Sequence, residues 1–195
     1  MRKCRLFFSK TGKTRYISHL DLMRVFRRAF NRAEIAVAHS EGFNPHPIMA
    51  GLLPLPTGQE SVYDVLDVTF ETEVGSFLLL PERINPCLPQ GIKIIRAGVP
   101  AMKPADIFAV MSQATVKDGE WAVPEDGVTF EKRTKSDNVK TITVKRAQMR
   151  LIDQCTLEFL LPPDISPALV AAELGHGDAD IIRTGIFDKN GRSFV

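Results

Sequence analysis

The fold of the first half of the chain is decided by one amphipathic stretch, residues 18–33, which reads SHLDLMRVFRRAFNRA. Ser18 followed three residues later by Asp21 is a capping-box signal. The serine oxygen can accept a hydrogen bond from a free amide of the first turn, and the carboxylate can accept one from the backbone amide of the serine. We therefore expect a helix that begins at His19.

This predicted helix has one apolar face and one cationic face. At 100° per residue, one side carries the apolar residues Leu22, Met23, Phe26, Ala29, Phe30 and Ala33. The other side carries the arginines Arg24, Arg27, Arg28 and Arg32. Like charges four residues apart cost an isolated helix a few tenths of a kcal/mol per pair, so the pattern favours a ligand outside the helix. A solvated surface face is the plain alternative.

The segments around this helix follow the order strand, helix, strand, strand, helix, strand. Strands are predicted at residues 4–9, 48–54, 62–70 and 92–99, and a second helix is predicted to begin within residues 74–80. This order is the split βαβ, or ferredoxin-like, pattern.

An internal similarity indicates a duplication. The segment Ile94-Ile95-Arg96-Ala97-Gly98-Val99 recurs 87 positions later as Ile181-Ile182-Arg183-Thr184-Gly185-Ile186. Each copy follows a strand and a proline-bearing helical segment, which makes a duplicated β-α-β unit a better explanation than chance. The expected fold class is therefore α+β, with two tandem ferredoxin-like (split βαβ) halves.

The second half is expected to be degenerate in its first helix, because residues 113–126 show no helical period. Its predicted strands lie near residues 107–115, 128–130, 139–144 and 157–161. A later helix is predicted with Ser166 as its N-cap and Pro167 at its first position. The predicted domains are residues 1–99 and 105–195, joined by a linker at residues 100–104.

Positive charge is concentrated at the N-terminal end of the chain. The formal net charge is only +2, but residues 1–50 carry ten Lys/Arg against three Asp/Glu, a surplus of +7, and the other 145 residues sum to −5. A local surplus of this kind raises the concentration of a polyanion at that surface.

The cysteines predict reduced, intracellular thiols. Cys4, Cys87 and Cys155 are far apart and form no C-x-x-C pair, so they offer no disulfide framework, zinc knuckle or iron–sulfur ligand set. We therefore expect no cofactor. No apolar run approaches the length of a signal-peptide core or a membrane span, which predicts a cytoplasmic protein without a membrane partner.

Several motifs together point to a family. They are SHLDLM at residues 18–23, RRA at 27–29, GFNPHP at 42–47, LPLPTG at 53–58 and KRTK at 132–135. The set resembles the bacterial radical-SAM-linked family, a domain of unknown function. The resemblance implies a domain that occurs alone or fused behind a cobalamin-binding radical SAM protein, often encoded close to a ribonuclease of the E/G type. Because the clustered cysteines of a radical SAM core are missing here, the chain would be the companion of that enzyme.

The residues favour a non-catalytic RNA-binding or substrate-presenting module, and the resemblance implies that it would be a companion of the radical SAM enzyme in RNA modification or processing. Cations would contact phosphates of single-stranded or structured RNA, and rings would stack on unpaired bases. The predicted nucleic-acid-binding residues are Lys10, Lys13, Arg15, Tyr16, Arg24, Arg27, Arg28, Arg32, Phe43, Asn44, His46, Arg133 and Lys135. Tyr16 and Phe43 could equally be core residues, because aromatic side chains often pack inside.

Two other functions stay open. His19, His39 and His46 lie in one short region, and a metal-free ribonuclease-like enzyme could use His19 and His46 as acid and base. Their spacing matches no i, i+4 ligand pair, so no metal site is expected. The second alternative is a protein-docking module that uses the proline-stiffened loop of residues 42–47 and needs no nucleic acid.

Overall fold

The computed structural model of the chain describes residues 1–71, 74–133 and 138–195. Within these ranges the protein has three α-helices and ten strands, so the expected α+β class is confirmed. The residues group into two compact units. None of the helices in the described ranges is long and apolar enough to cross a membrane.

The first unit comprises Met1–Asp106 together with Ser193–Val195. Its elements are β1 (Arg2–Lys10), α1 (His19–Arg32), β2 (Met49–Gly51), β3 (Glu60–Phe70), α2 (Leu80–Ile84) and β4 (Ile92–Gly98). β1 lies between β3 and β4, and β2 pairs with β3. These pairs are all antiparallel, which gives the strand order β4-β1-β3-β2.

Helix α1 begins where the capping box predicts and covers the sheet with its apolar face. Its first residue is His19, and the Asp21 amide donates to the Ser18 hydroxyl at 3.1 Å. Phe26 is fully buried between Phe8 of β1, at 4.9 Å between ring centroids, and Phe30, at 6.2 Å. Burial of such rings supplies the main stabilising contribution of the helix.

The second predicted helix begins at Leu80, the last position of the predicted range. A 3-10 turn over Phe77–Leu79 precedes the short helix α2, and a second 3-10 turn follows over Asn85–Cys87. Pro81 stands in the first turn of α2, where its missing amide costs nothing. Proline thus sets the start of the helix more strongly than the apolar run before it.

The second unit comprises Ile107–Arg192. Its elements are β5 (Ala109–Thr115), β6 (Val128–Arg133), β7 (Val139–Val144), β8 (Met149–Leu151), β9 (Thr156–Leu161), α3 (Pro167–Glu173) and β10 (Asp180–Phe187). The antiparallel order is β10-β5-β9-β8, and β6 and β7 form a separate pair. Between β5 and β8, the part of the chain that the structure describes contains no α-helix.

The core of the second unit is built on one tryptophan. The Trp121 ring meets Phe159 edge to face at 6.2 Å, and its indole N–H donates to the carbonyl oxygen of Cys155 at 2.9 Å. Val170 of α3 belongs to the same buried cluster. Helix α3 begins at Pro167 with Ser166 as N-cap, as predicted, because proline is pre-organised for a first helical position.

The last residues of the chain pack against the first unit. The buried guanidinium of Arg5 donates to the main-chain oxygens of Met102 and Val195, at 2.8 and 2.9 Å, and lies over the Phe194 ring at 4.5 Å. The same group binds both carboxylate oxygens of Asp67, at 2.7 and 2.8 Å. The division predicted from the sequence placed these terminal residues with the second half instead.

Candidate nucleic-acid interface

The cationic face of α1 is exposed, as the helix wheel predicts. Arg24, Arg27, Arg28 and Arg32 all lie on the surface. Arg24 pairs with Asp21 at 2.8 Å, and both side chains are more than half exposed. Within residues 1–71, 74–133 and 138–195, the side chains of Arg27, Arg28 and Arg32 make no hydrogen bond or ion pair. Their charge is therefore available to a ligand.

The Asp21 carboxylate, at the start of this helix, accepts hydrogen bonds from two side chains. The Ser18 hydroxyl donates to its carboxylate at 2.7 Å, and the Arg24 guanidinium donates to the other oxygen at 2.8 Å. Both interactions favour the charged form, and together they lower the pKa of Asp21. The carboxylate also lies at the positive end of the helix dipole.

This arrangement predicts a pH-dependent contribution of Asp21 to stability. A lowered folded pKa means that the contribution is complete above the unfolded value of about 3.9 and is lost as the pH falls through the folded value. We expect Asp21→Asn to lower the urea midpoint at pH 7, and we expect the difference from wild type to shrink towards pH 3. Asp178→Asn, on an exposed side chain, is the control. A difference that does not change with pH would contradict the assignment.

The loop that follows α1 is a closed hairpin. Ser40 and His46 are joined by three bonds: the Ser40 amide donates to the His46 carbonyl at 2.9 Å, the His46 amide donates to the Ser40 hydroxyl at 3.1 Å, and that hydroxyl lies 2.8 Å from His46 Nδ1. The tip carries Phe43, which is fully exposed, and Asn44, which is also exposed. The predicted stacking ring is therefore on the surface.

The turn before α1 presents an exposed aromatic ring, whereas its arginine is bound by residues outside the turn. Gly12–Tyr16 forms a 3-10 helix in which Tyr16 is 68% exposed and Lys13 is exposed. The half-buried Arg15 donates to the Gly58 carbonyl and pairs with Glu60 at 3.5 Å. Lys13 and Tyr16 are thus accessible, whereas Arg15 is mainly committed to the fold.

The prediction that Lys10 contacts phosphate is wrong. Lys10 is 1% exposed, and its ammonium donates to the main-chain oxygens of Arg15 and Ile17, at 3.3 and 3.0 Å. The sequence predicted that the first strand ends at residue 9, but β1 continues through Lys10. The lysine therefore points into the protein, where it stabilises the turn that leads to α1.

Two predicted binding residues belong to the tip between β6 and β7. Lys135 lies outside the residues that the structure describes, and so does the side chain of Arg133, whose backbone ends β6. Their proposed role in RNA binding stays a prediction.

Helix α1 connects the two ends of the first unit that carry exposed rings. Its N-terminus follows the turn with Tyr16, at the Lys10 end of β1. Beyond its C-terminus, Val37 bridges to Phe70 at the other end of β3, and the closed hairpin with Phe43 begins there. Fourteen residues span roughly 20 Å, and side chains four apart are about 6 Å apart along the axis. The arginines therefore form a track along the exposed face of α1.

The two candidate catalytic histidines occupy separate places. His19 packs against β2, because a Cβ atom added to Gly51 would lie 2.7 Å from its Cε1 atom. His46 is held by Ser40 in the hairpin. In the described part of the chain, no hydrogen bond or ring contact joins the two imidazoles. Nor do these residues contain a group of three or more His, Cys, Asp or Glu that could hold a metal ion.

The contact with Gly51 gives a test of the position of His19. Gly51→Ala is expected to cost about 1 kcal/mol of unfolding free energy, because the new methyl group overlaps the imidazole. The cost should disappear when His19→Ala is already present, since the overlap is then gone. Gly98→Ala is the matched control, because a methyl group there meets no atom within 4 Å. Urea unfolding of the four variants measures the effect, and equal costs in both backgrounds would contradict the contact.

One feature of this surface could not be predicted from the sequence. Arg28 and Arg32 form one side of a cleft of about 290 Å³, and the segment Pro86, Cys87, Leu88 and Pro89 forms the other. The only signal in the sequence is an apolar, proline-bounded segment after a short helix. Such a segment is also typical of an ordinary turn.

The chain is thus an α+β protein whose first unit presents a track of arginines on α1 and two exposed aromatic rings, Tyr16 and Phe43. It belongs to the family described as an uncharacterized protein conserved in bacteria (DUF2344), which matches residues 3–162. The matched segment includes α1, the closed hairpin and the cleft. No curated protein matches the chain.

Proposed function

We propose that this protein is a non-catalytic RNA-binding or substrate-presenting companion of a radical SAM enzyme. The observation that carries the proposal is the arginine track on α1, in which Arg27, Arg28 and Arg32 have no partner in the described ranges. The enzyme partner rests on the resemblance of the motifs, not on the geometry. The reaction served would be RNA modification or processing.

The charge arrangement suits a polyanion better than it suits the isolated helix. Arg24, Arg28 and Arg32 repel each other along one row, and each phosphate bound there removes repulsion while it releases condensed counterions from the RNA. Guanidinium groups bind phosphate oxygens in a planar, bidentate manner. The apolar face of α1 remains buried, so binding needs no change in the fold.

The exposed rings suit unpaired bases. Tyr16 precedes α1 and Phe43 follows it in the chain, and both rings lie on the surface, where a ligand can reach them. Stacking of a base on an aromatic ring contributes about 1–3 kcal/mol and tolerates any sequence. The combination of rings and arginines is typical of single-strand binding.

We also propose that the two units are related ferredoxin-like halves. The orders β4-β1-β3-β2 and β10-β5-β9-β8 are equivalent, and the repeated segments of the sequence lie on β4 and β10. The first helix would have been replaced in the second half by the β6–β7 pair. RNA binding would then belong to the half that retains the helix.

Salt dependence of binding tests the proposal. A fluorescein-labelled 12-nucleotide oligouridine should bind with an affinity that falls with salt at a log–log slope of about −2, because three arginines contribute about −0.7 each. Fluorescence anisotropy between low and moderate salt measures the slope. Absence of binding would refute the proposal, and a slope near zero would remove its electrostatic basis.

One observation favours a second function, docking onto a protein partner. Phe43 stands fully exposed at the tip of a rigid hairpin, and an exposed aromatic anchor is a common centre of protein interfaces. Under this alternative, purified radical SAM protein would be retained in a manner that is insensitive to salt and lost in Phe43→Ala. Retention that depends on added RNA would instead support the first proposal. The ribonuclease alternative has less support, because His19 and His46 make no contact with each other.

A further inference from the structure

The cleft beside α1 combines charge with an apolar wall. Arg28 and Arg32 lie on its helix side together with Val25, and Leu88 and two prolines line the opposite side. Its volume of about 290 Å³ is at the lower limit of small-molecule sites, which is enough for one ring system. The cleft lies entirely within the first unit.

The spacing of the two arginines suits two neighbouring anionic groups. Residues 28 and 32 are one turn apart on the same face of α1, about 6 Å along the axis. That distance is of the order of the separation between successive phosphates in an extended single strand. Neither guanidinium has a partner within the described ranges, so both can turn towards a ligand.

We propose that this cleft takes one unpaired base of single-stranded RNA, with the two flanking phosphates on Arg28 and Arg32. The inference rests on the proposed RNA-binding function and names its substrate class. The base lies between Val25 and the Leu88–Pro89 wall. These apolar side chains can pack against the face of any base, but they cannot distinguish bases by hydrogen bonds. Recognition is therefore tolerant of sequence.

The same geometry excludes a base that is paired. In an A-form duplex the base faces are covered by their neighbours and the major groove is too narrow for side chains. A duplex can still meet the arginines through its phosphates, but it cannot place a base in the cleft. Single-stranded RNA should therefore contact the Leu88–Pro89 wall and double-stranded RNA should not, even where both bind to the arginines.

The chain contains its own reporters for this difference. Cys87 is half-buried in the cleft wall, and Cys155 is exposed in the second unit. Cys4 is buried in β1, and that burial raises the pKa of its thiol to about 12, so it does not react at neutral pH. Alkylation of Cys87 therefore reports on the cleft, and alkylation of Cys155 is an internal control.

The experiment compares alkylation rates in the unchanged protein. Iodoacetamide is added with no RNA, with saturating 12-nucleotide oligouridine, or with a 12-base-pair RNA duplex, and modified peptides are quantified by mass spectrometry. We expect oligouridine to slow the reaction of Cys87 at least about tenfold and the duplex to slow it less than twofold. Cys155 should react at one rate in all three samples.

The outcomes separate this inference from the function on which it rests. If oligouridine binds with the expected salt slope but leaves the rate of Cys87 unchanged, the cleft proposal is wrong and RNA binding stands. Equal protection by the duplex would also overturn it. If oligouridine shows no binding by anisotropy, both proposals fail.

A substitution at the wall gives a second measurement. Leu88→Ala should weaken oligouridine binding about tenfold with the salt slope unchanged, because the phosphate contacts remain. Leu78→Ala removes an exposed leucine outside the cleft and should leave the affinity unchanged. If Leu88→Ala binds like wild type, the wall does not contact a base.

Discussion

The double substitution Arg28→Glu plus Arg32→Glu is expected to lower affinity for single-stranded oligouridine more than about a hundredfold at 0.1 M salt. Each phosphate contact contributes about 0.7 to the log–log slope of affinity against salt. At about 0.1 M salt one contact therefore strengthens binding roughly fivefold relative to about 1 M salt. Removing two contacts therefore costs about 25-fold, and the new carboxylates add repulsion. The salt slope should fall in magnitude by about 1.4.

The fold should tolerate this change. Both arginines are exposed and without partners in the part of the chain that the structure describes, so their removal leaves no buried group unsatisfied. A glutamate at position 28 lies one turn from Arg24 and can attract it, while a glutamate at position 32 meets the negative end of the helix dipole. These small effects oppose each other. Urea unfolding should give a free energy within about 0.5 kcal/mol of wild type.

A charge-matched control is available elsewhere on the chain. Lys103→Glu plus Lys189→Glu makes the same change in net charge at two exposed positions outside α1. This variant should bind oligouridine within about threefold of wild type, since the altered charges do not contact the strand. Binding at the wild-type level by the Arg28 and Arg32 variant, or equal losses in both variants, would argue against the arginine track.

The structure changes which arginines are the best targets. From the sequence alone, Arg24 and Arg28 form an equally good pair, because the helix wheel places all four guanidinium groups on one face. The structure shows that Arg24 already pairs with Asp21 and that Arg28 and Arg32 border the cleft. Charge reversal at Arg24 would also disturb the cap of α1 that Asp21 forms. A loss of binding in that variant could then not be separated from a loss of stability.

Local signals predicted the elements well because their causes are local. The starts of α1 and α3 follow from Ser18 with Asp21 and from Ser166 with Pro167, and each signal acts within one helical turn. The three-residue strand β8 was missed, and the equally short β2 was predicted as a longer strand, because three residues carry too little alternation to define a strand. Helix start signals therefore proved more dependable here than short strands.

Which cations are buried could not be predicted, because burial depends on partners outside the strand that carries the cation. Arg5 donates hydrogen bonds to Asp67 and to Val195, and Lys10 donates to a main-chain oxygen in the segment before α1. Both look like surface charges in a basic N-terminal segment. Of the ten cations in residues 1–50, at least these two belong to the interior, so the charge surplus overstates the cationic surface. Tyr16 and Phe43 show the converse, since two rings that could have packed inside are exposed.

The largest expected effect on stability follows from the burial of Arg5. Its side chain is 1% exposed, whereas that of its partner Asp67 is 26% exposed. Removing one partner of a buried ion pair costs about 3–5 kcal/mol, because the remaining charge is left without compensation. Two main-chain oxygens still accept bonds from Arg5, which places Asp67→Ala near the lower end, at about 3 kcal/mol. Urea unfolding measures this loss.

Replacing both charges should recover most of the loss. In Arg5→Met plus Asp67→Leu no buried charge remains, and apolar side chains of similar volume can be neutral or even stabilising at such a site. We expect the double variant to lie within about 1.5 kcal/mol of wild type. The exposed pair Lys140–Asp164, at 3.1 Å, is the control, and Asp164→Ala should cost less than about 1 kcal/mol.

The double variant should still differ from wild type at one place, the end of the chain. Arg5 binds the Val195 oxygen and covers the Phe194 ring, whereas methionine can pack on the ring but cannot donate a hydrogen bond to that oxygen. Two polar contacts to these residues would remain: the Tyr63 hydroxyl donates to the Phe194 carbonyl at 2.8 Å, and the Met102 amide donates to the Val195 oxygen at 3.0 Å. Amide hydrogen exchange should therefore rise at Ser193–Val195 while β1 and β3 stay protected. Unchanged exchange at these residues, or a double variant as unstable as Asp67→Ala, would contradict this role of the buried arginine.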